Sequence, residues 1–126
     1  MEALEYARRI NPSFPHILYT MGYLWMEQGE YAEAEGAFRD MIESGDAAAE
    51  SYRLLGAALE AQDRLAEAEE AYREAVARDP EDFDTCRILF TLLWTLGKQD
   101  QAVNVIEDWL ARHPEDEATR RALEAL

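Results

Sequence analysis

Side chains that could support catalysis or metal binding are few, and their spacing does not bring them together. The chain has two histidines, His16 and His113, and a single cysteine, Cys86. The histidines lack the His-x-x-x-His spacing of a helical zinc site, and one cysteine cannot form a disulfide within the chain. Cys86 falls at a position expected to face a core, which favours a small buried apolar residue over a nucleophile.

The sequence also lacks the short motifs of nucleophilic or nucleotide chemistry. It has no Gly-x-Ser-x-Gly elbow, no phosphate-binding glycine loop and no dinucleotide-binding fingerprint. Neighbouring carboxylates such as Glu69 and Glu70 are common, but adjacent residues of a helix point in different directions. We therefore expect no enzyme, no cofactor and no metal.

Two arginines are better suited to holding a partner. Arg53 and Arg87 are 34 residues apart, and each could bind a partner's carboxylate. The alternative is that each is neutralised within its own helix by Glu50 or Asp84, three residues before it.

The composition indicates a helical and strongly acidic chain. Of the 126 residues, 48% are apolar and 31% are charged, and the formal net charge is −15. Ala, Glu, Leu and Arg outnumber β-branched residues, Gly and Pro, which is typical of helices. An acidic surface repels phosphate backbones and anionic lipid, so we expect no nucleic-acid partner and no membrane insertion. The charge either attracts a cationic partner or only keeps the chain soluble.

The strongest signal is an internal repeat with a period of 34 residues, in which three copies align without a gap. Equivalent positions of the copies hold Leu18, Gly22, Ala34 and Phe38, then Tyr52, Gly56, Ala68 and Tyr72, then Cys86, Phe90, Ala102 and Ile106. Small residues at the glycine and alanine positions let two helices approach closely, and the large residues fill the space around them.

Glycine and proline residues mark the ends of helices in the copies. Gly29 and Gly97 are expected to end the first helix of a copy in the left-handed conformation. Pro80 and Pro114 mark the end of a copy, because proline cannot continue a helix. The first copy lacks this proline, and there we expect Gly45 to make the turn.

These residues resemble the tetratricopeptide repeat, whose pattern is Trp-x-x-Leu-Gly-x-x-Tyr, then Ala-x-x-x-Phe, then Pro, at the same period. The resemblance implies an all-α, right-handed superhelical solenoid of antiparallel helix hairpins. Repeats one, two and three occupy residues 15–46, 47–80 and 81–114. Residues 1–12 are expected to end a preceding repeat. Residues 115–126 are either a capping helix or the start of a fourth repeat, so this is expected to be a segment of a longer array.

The predicted helices span residues 2–10, 15–28, 31–43, 47–62, 65–78, 82–96, 99–112 and 116–126. The third copy departs from the family pattern, with Phe90 at the glycine position and Ile106 at the phenylalanine position. We therefore expect its two helices to pack slightly further apart than those of the other copies.

The first helices of tetratricopeptide arrays line a concave groove, and the resemblance places a partner there. The implied groove residues are His16, Tyr19, Tyr23, Met26, Arg53, Glu60, Arg87, Thr91 and Trp94. Steps of three and four residues put them on one face of each first helix. Tyr19, Tyr23 and Trp94 would offer a partner a large contact area, although the two tyrosines could instead pack under the N-terminal helix.

The predicted function is a protein–protein interaction scaffold that binds a peptide or a partner protein in this groove. The Lys, Arg and Asn clamp with which some family members hold a peptide carboxylate is missing. The alternative is an acidic segment of a bacterial envelope export machine, which would steer a cationic, partly deacetylated exopolysaccharide or recruit its modifying enzyme. Acidic residues of the second helices, including Glu35 and Glu69, are interpreted as a solvated face. The sequence leaves the location open between the cytoplasm and the bacterial periplasm.

Overall fold

The computed structural model describes residues 14–126, and every regular element in this range is an α-helix. The helices are α1 (Phe14–Glu27), α2 (Tyr31–Glu43), α3 (Ala49–Ala61), α4 (Leu65–Arg78), α5 (Phe83–Thr95), α6 (Gln99–Arg112) and α7 (Glu117–Glu124). Their ends lie within about two residues of the predicted ends, as expected for helix boundaries. The helix predicted over residues 2–10 lies outside the described residues.

The helices pack in chain order, as a solenoid of hairpins requires. Hairpin one is formed by α1 and α2, hairpin two by α3 and α4, and hairpin three by α5 and α6. Between hairpins, α2 packs on α3 and α4 packs on α5, while α7 lies against α6. The predicted all-α solenoid is therefore confirmed. None of the described helices is both long and apolar enough to span a bilayer.

Small residues let the helices of a hairpin approach closely. Ala34, Ala68 and Ala102 are completely buried, each in the second helix of its hairpin. A methyl group added at Gly56 would come within 2.8 Å of the Tyr72 ring. One added at Gly22 would overlap the ring of Phe38 in the same way. In hairpins one and two, the glycine of the first helix and the aromatic ring of the second helix thus pack directly against each other.

A left-handed residue ends the first helix of each hairpin. Gly29, Asp63 and Gly97 have φ angles of 78°, 61° and 80°, and they are equivalent positions of the three repeats. Aspartate is among the few non-glycine residues that enter this conformation readily. Gly45 closes hairpin one with a φ of 105°, as predicted, and the Asp46 N–H bonds back to the Met41 carbonyl over 3.0 Å.

Hairpin three differs from the others because its large side chain is on the first helix. Phe90 replaces the glycine, and the opposing Ile106 is smaller than Phe38 or Tyr72. The Phe90 ring is only partly buried and stacks on Trp94, with the ring centroids 5.6 Å apart. The predicted wider separation of these two helices stays a prediction.

Helix α7 begins in the same way as α5, one repeat earlier. The Asp82 side chain accepts a hydrogen bond from the Thr85 N–H over 3.4 Å, and Asp116 accepts one from the Thr119 N–H over 3.1 Å. Asp116 also accepts a bond from the Trp109 indole N–H over 3.0 Å. Whether α7 is a capping helix or the start of a fourth repeat stays a prediction.

Candidate functional site

The nine predicted groove residues lie on α1, α3 and α5, the first helices of the three hairpins. We call this set the first-helix face. None of its members is buried, and His16, Tyr23, Glu60, Arg87 and Thr91 are exposed. The face is therefore open to a ligand along all three hairpins.

The aromatic residues of this face are less exposed than the sequence suggested. Tyr23 is 50% exposed. Tyr19, Met26 and Trp94 are partly buried and pack against the core. Of the three aromatic residues expected to offer contact area, Tyr23 is the most open to solvent, and a binding role for Tyr19 and Trp94 stays a prediction. The side chains of Tyr19 and Trp94 therefore divide their surface between the core and solvent.

Both arginines of the face make the local pairs that the sequence allowed. Arg53 lies 3.3 Å from Glu50, and Arg87 lies 3.9 Å from Asp84. The side chains of Arg87 and Asp84 are 60% and 80% exposed, so their contact is weak. The Arg87 guanidinium thus keeps most of its hydrogen-bonding capacity for another group.

Glu60 has a structural partner as well as an exposed position. Its carboxylate accepts a hydrogen bond of 2.9 Å from the Tyr72 hydroxyl. Burial raises the pKa of Tyr72, and the bond to Glu60 raises it further, so this phenol stays protonated as the donor. The bond fixes the ring of Tyr72 over Gly56.

The interpretation of Glu35 and Glu69 as part of a solvated acidic face is wrong. Their side chains are only 13% and 10% exposed, and each bridges two hairpins. Glu69 in α4 accepts hydrogen bonds from Arg73 in the same helix, over 2.8 Å, and from Lys98 at the start of α6, over 2.7 Å. We call this group the Glu69 cluster.

The Glu35 cluster has the same design one repeat earlier. Glu35 in α2 is bonded by Arg39 over 2.9 Å and by Arg64, the residue before α4. Gln62 adds a third bond over 3.0 Å. Burial alone would raise the pKa of Glu35, but the bonds from Gln62 and Arg39 and the charge of Arg64 outweigh it, so the pKa lies below its usual value. Both clusters stabilise the stacking of hairpins and leave their carboxylates unavailable to a partner.

An apolar cleft adjoins the first-helix face at hairpin three, and the sequence did not predict it. Its volume is about 320 Å³, and it opens between α5, α6 and α7. Residues that line it include Phe83, Arg87, Phe90, Ile106, Ala122 and Leu123. The sequence signal for the cleft is that Phe90 replaces a glycine and that the smaller Ile106 replaces an aromatic residue. The Phe90 ring is then left partly uncovered.

The histidines and the cysteine do not form a site. His16 is exposed on α1, whereas His113 stacks on Trp109 with the ring centroids 3.9 Å apart and its Nε2 lies 2.6 Å from Glu81. Cys86 is completely buried, and burial raises the pKa of its thiol. No group of three metal-binding side chains is assembled within residues 14–126.

Models of the tetratricopeptide repeat match almost the whole chain. The matched segments are residues 2–49, 19–83 and 59–126. The chain therefore belongs to the tetratricopeptide repeat family. The comparison with curated proteins found no match.

Solved structures with the same fold have low sequence identity. A crystal structure of MamA has a TM-score of 0.76 and 20% identity, and the match covers 97% of this chain and 71% of MamA. A CopN–Scc3 complex has a TM-score of 0.75 and 17% identity, with coverage of 93% and 69%. The first repeat domain of Spaghetti (RPAP3), bound to an HSP90 peptide, has a TM-score of 0.69 and 19% identity, with coverage of 88% and 90%. At these identities the likeness establishes the fold alone.

Proposed function

We propose that the chain is a protein-interaction scaffold that binds an extended or helical segment of a partner along the first-helix face. The main support for the proposal is that each of the three hairpins has exposed residues on this face and that none of the nine residues is buried. Among structures of the same fold, one holds an HSP90 peptide and another is a complex of yeast Sti1 with Hsp70. Partly exposed tyrosine and tryptophan at both ends of the face are the residue types that dominate binding energy.

Peptides selected from a random library against the folded chain provide the test. Tyr23→Ala and Trp94→Ala are expected to weaken binding of the selected peptides about tenfold or more, because each removes a large aromatic anchor. Glu107→Ala, at an exposed position of α6, is the matched control and should leave the affinity unchanged. Fluorescence anisotropy of labelled peptides measures all three. Peptides that bind both aromatic variants as tightly as the wild-type chain would overturn the proposal.

Capture of a cationic polymer is a second candidate function, which the net charge of −15 favours. Burial of Glu35 and Glu69 reduces the acidic surface available for it. A partly deacetylated polysaccharide should then bind at low salt and be released at high salt, since exposed charges are screened. Binding that does not respond to salt, or the absence of binding at low salt, would exclude this function.

A further inference from the structure

A groove lined by residues of α2, α3 and α4 has an apolar floor, and we call it the α4 groove. Its volume is about 470 Å³, and Leu55, Leu59 and Ala71 are among the residues that line it. Leu55 is two residues from Arg53, and Leu59 is next to Glu60, and neighbours at these spacings do not share a helix face. The α4 groove is therefore distinct from the first-helix face.

Three carboxylates of α4 border the groove, and one of them is available to a ligand. Glu67 pairs with both arginines of the Glu35 cluster, with Arg39 over 3.6 Å, and Glu74 pairs with Arg78 over 3.6 Å. Glu70 lies between these two glutamates, at spacings of three and four residues that place all three on one side of α4. Glu70 is exposed and has no hydrogen-bond or ion-pair partner within residues 14–126.

The border of the groove already holds a cation of the chain itself. The Arg78 guanidinium lies over the Tyr52 ring, 4.7 Å from the ring centroid, and pairs with Glu74. Tyr52 and Glu74 both line the groove. An aromatic face and a carboxylate attract a positive charge together. Glu70 offers a carboxylate to a cation from outside the chain in the same way.

The equivalent groove one repeat later lacks these features. It is lined by Leu89, Val105 and Asp108, which are equivalent to three residues of the α4 groove, and its volume is about 180 Å³. The three glutamates of the α4 groove are replaced there by Gln101, Asn104 and Asp108. Stacking of the hairpins therefore does not itself require a wide groove with three carboxylates at this position.

We propose that the α4 groove binds a basic side chain of a second partner protein. The positive charge of that side chain pairs with Glu70, and its aliphatic stem lies over Leu55, Leu59 and Ala71. Lysine has a compact cation on a flexible stem of four carbons, and such stems pack well on apolar surface. The carboxylate selects the charge, and the apolar floor selects the stem. The inference goes beyond the proposed function, because it concerns another surface and another partner.

Three short peptides test the site without knowledge of the partner. Each is glycine-rich, acetylated and amidated, and has lysine, norleucine or diaminopropionic acid at its centre. Norleucine keeps an aliphatic stem without the charge, and diaminopropionic acid keeps the charge on a stem of one carbon. The peptides are titrated into the isotope-labelled chain in slightly acidic buffer and followed by NMR, since one side chain binds in roughly the millimolar range at best. Signals of Leu55, Glu70 and Ala71 are expected to shift, and the lysine peptide should bind about threefold more tightly than either of the others.

Two variants that each remove one carboxylate separate the site from general attraction to an acidic chain. Glu70→Gln should remove most of the preference for lysine over norleucine. Asp108→Asn, in the equivalent groove of hairpin three, is the matched control and should keep the preference. Both positions are exposed, so neither variant should disturb the fold, and circular dichroism checks this.

Several results would overturn the inference. These are equal binding of the three peptides by the wild-type chain, equal effects of the two variants, and no shift of groove signals up to roughly 50 mM peptide. Methyl glucosaminide, which carries one amine on a sugar ring, is a further probe. If it shifts the same signals at lower concentration than the lysine peptide, the groove suits a cationic sugar and the proposal fails.

Failure of this site can be told apart from failure of the proposed function. Library peptides that depend on Tyr23 and Trp94 should bind Glu70→Gln as tightly as the wild-type chain, because the α4 groove is not part of their surface. If they do so while the lysine peptide shows no preference, only the inference about the α4 groove is wrong.

Discussion

At the scale of single residues, the rings of Phe38 and Tyr72 lie directly over glycines of the preceding helix. Tyr72 also donates a hydrogen bond from its hydroxyl to Glu60, which opposes movement of the ring away from Gly56. Close packing of this kind makes the cost of one added methyl group predictable.

Gly56→Ala should lower the free energy of unfolding by about 1–3 kcal/mol, because its Cβ would lie 2.8 Å from the Tyr72 ring. Gly36→Ala is the matched control, since it lies within α2 and has no atom within 4 Å of the added methyl group. It should raise stability by up to about 1 kcal/mol through helix propensity. Urea unfolding measures both, and equal effects of the same sign would contradict this account of the packing.

The glycine contacts could be predicted from the sequence, and the role of Glu69 could not. Gly22 and Gly56 recur at one period opposite an aromatic residue, which has few physical explanations other than close contact. Glu69 and Glu70 are adjacent glutamates in an acidic helix, and nothing local distinguishes the buried one from the exposed one. The sequence does contain a signal for Glu69, but it extends over a whole repeat: Glu35, Arg39 and Arg64 are equivalent to Glu69, Arg73 and Lys98, 34 residues later.

At the scale of helices, the two ion-pair clusters join each second helix to the start of the next one. Lys98 precedes α6 and reaches back to Glu69 in α4. The third equivalent position is Val103, so the described residues contain two such clusters and not three. The stacking of the first three hairpins is therefore partly polar.

Glu69→Ala should destabilise the chain by about 1 kcal/mol, because it leaves Arg73 and Lys98 without their shared carboxylate. The estimate is modest since both cations are more than one third exposed. Glu70→Ala, at the neighbouring exposed position, should change stability by less than about 0.5 kcal/mol. Thermal unfolding compares the two, and an equal effect would show that the Glu69 cluster adds nothing to stability.

The Glu69 cluster should also make stability depend on pH. Burial would raise the pKa of Glu69, but the bonds from Lys98 and Arg73 outweigh it, so the folded-state pKa lies below the ordinary 4.5. A carboxylate whose pKa is lower in the folded state stabilises the fold at pH values above its unfolded-state pKa. This contribution is lost as the pH falls through the folded-state pKa. The difference in melting temperature between the wild-type chain and Glu69→Gln should therefore shrink below about pH 4.5. A difference that stays constant into strong acid would contradict it.

The positions of the helices could be predicted because turn-forming residues recur at equivalent positions of the three repeats. The ends of α1 to α6 follow from the left-handed residues at 29, 63 and 97 and from the turns at Gly45, Pro80 and Pro114. The cleft could not be predicted, because its shape depends on the rotamer that Phe90 adopts opposite the smaller Ile106. Sequence spacing gives the face of a side chain and not its rotamer.

At the scale of the whole molecule, each of the three stacked hairpins has first-helix residues that are exposed or partly exposed to solvent. The second helices carry further exposed acidic residues outside the two clusters, such as Glu70 and Glu107. A partner that is anchored by aromatic and apolar contacts should prefer the first-helix face, since charged exposed surfaces contribute little binding energy individually.

Site-specific photo-crosslinking tests this central claim most directly. The photoreactive residue p-benzoylphenylalanine replaces either Tyr23, on the first-helix face, or Glu107, on α6, and each chain is irradiated with a peptide selected from the library. The account predicts a crosslinked product from position 23 and none from position 107. Crosslinking from position 107 alone would contradict it and would place the partner on the second helices.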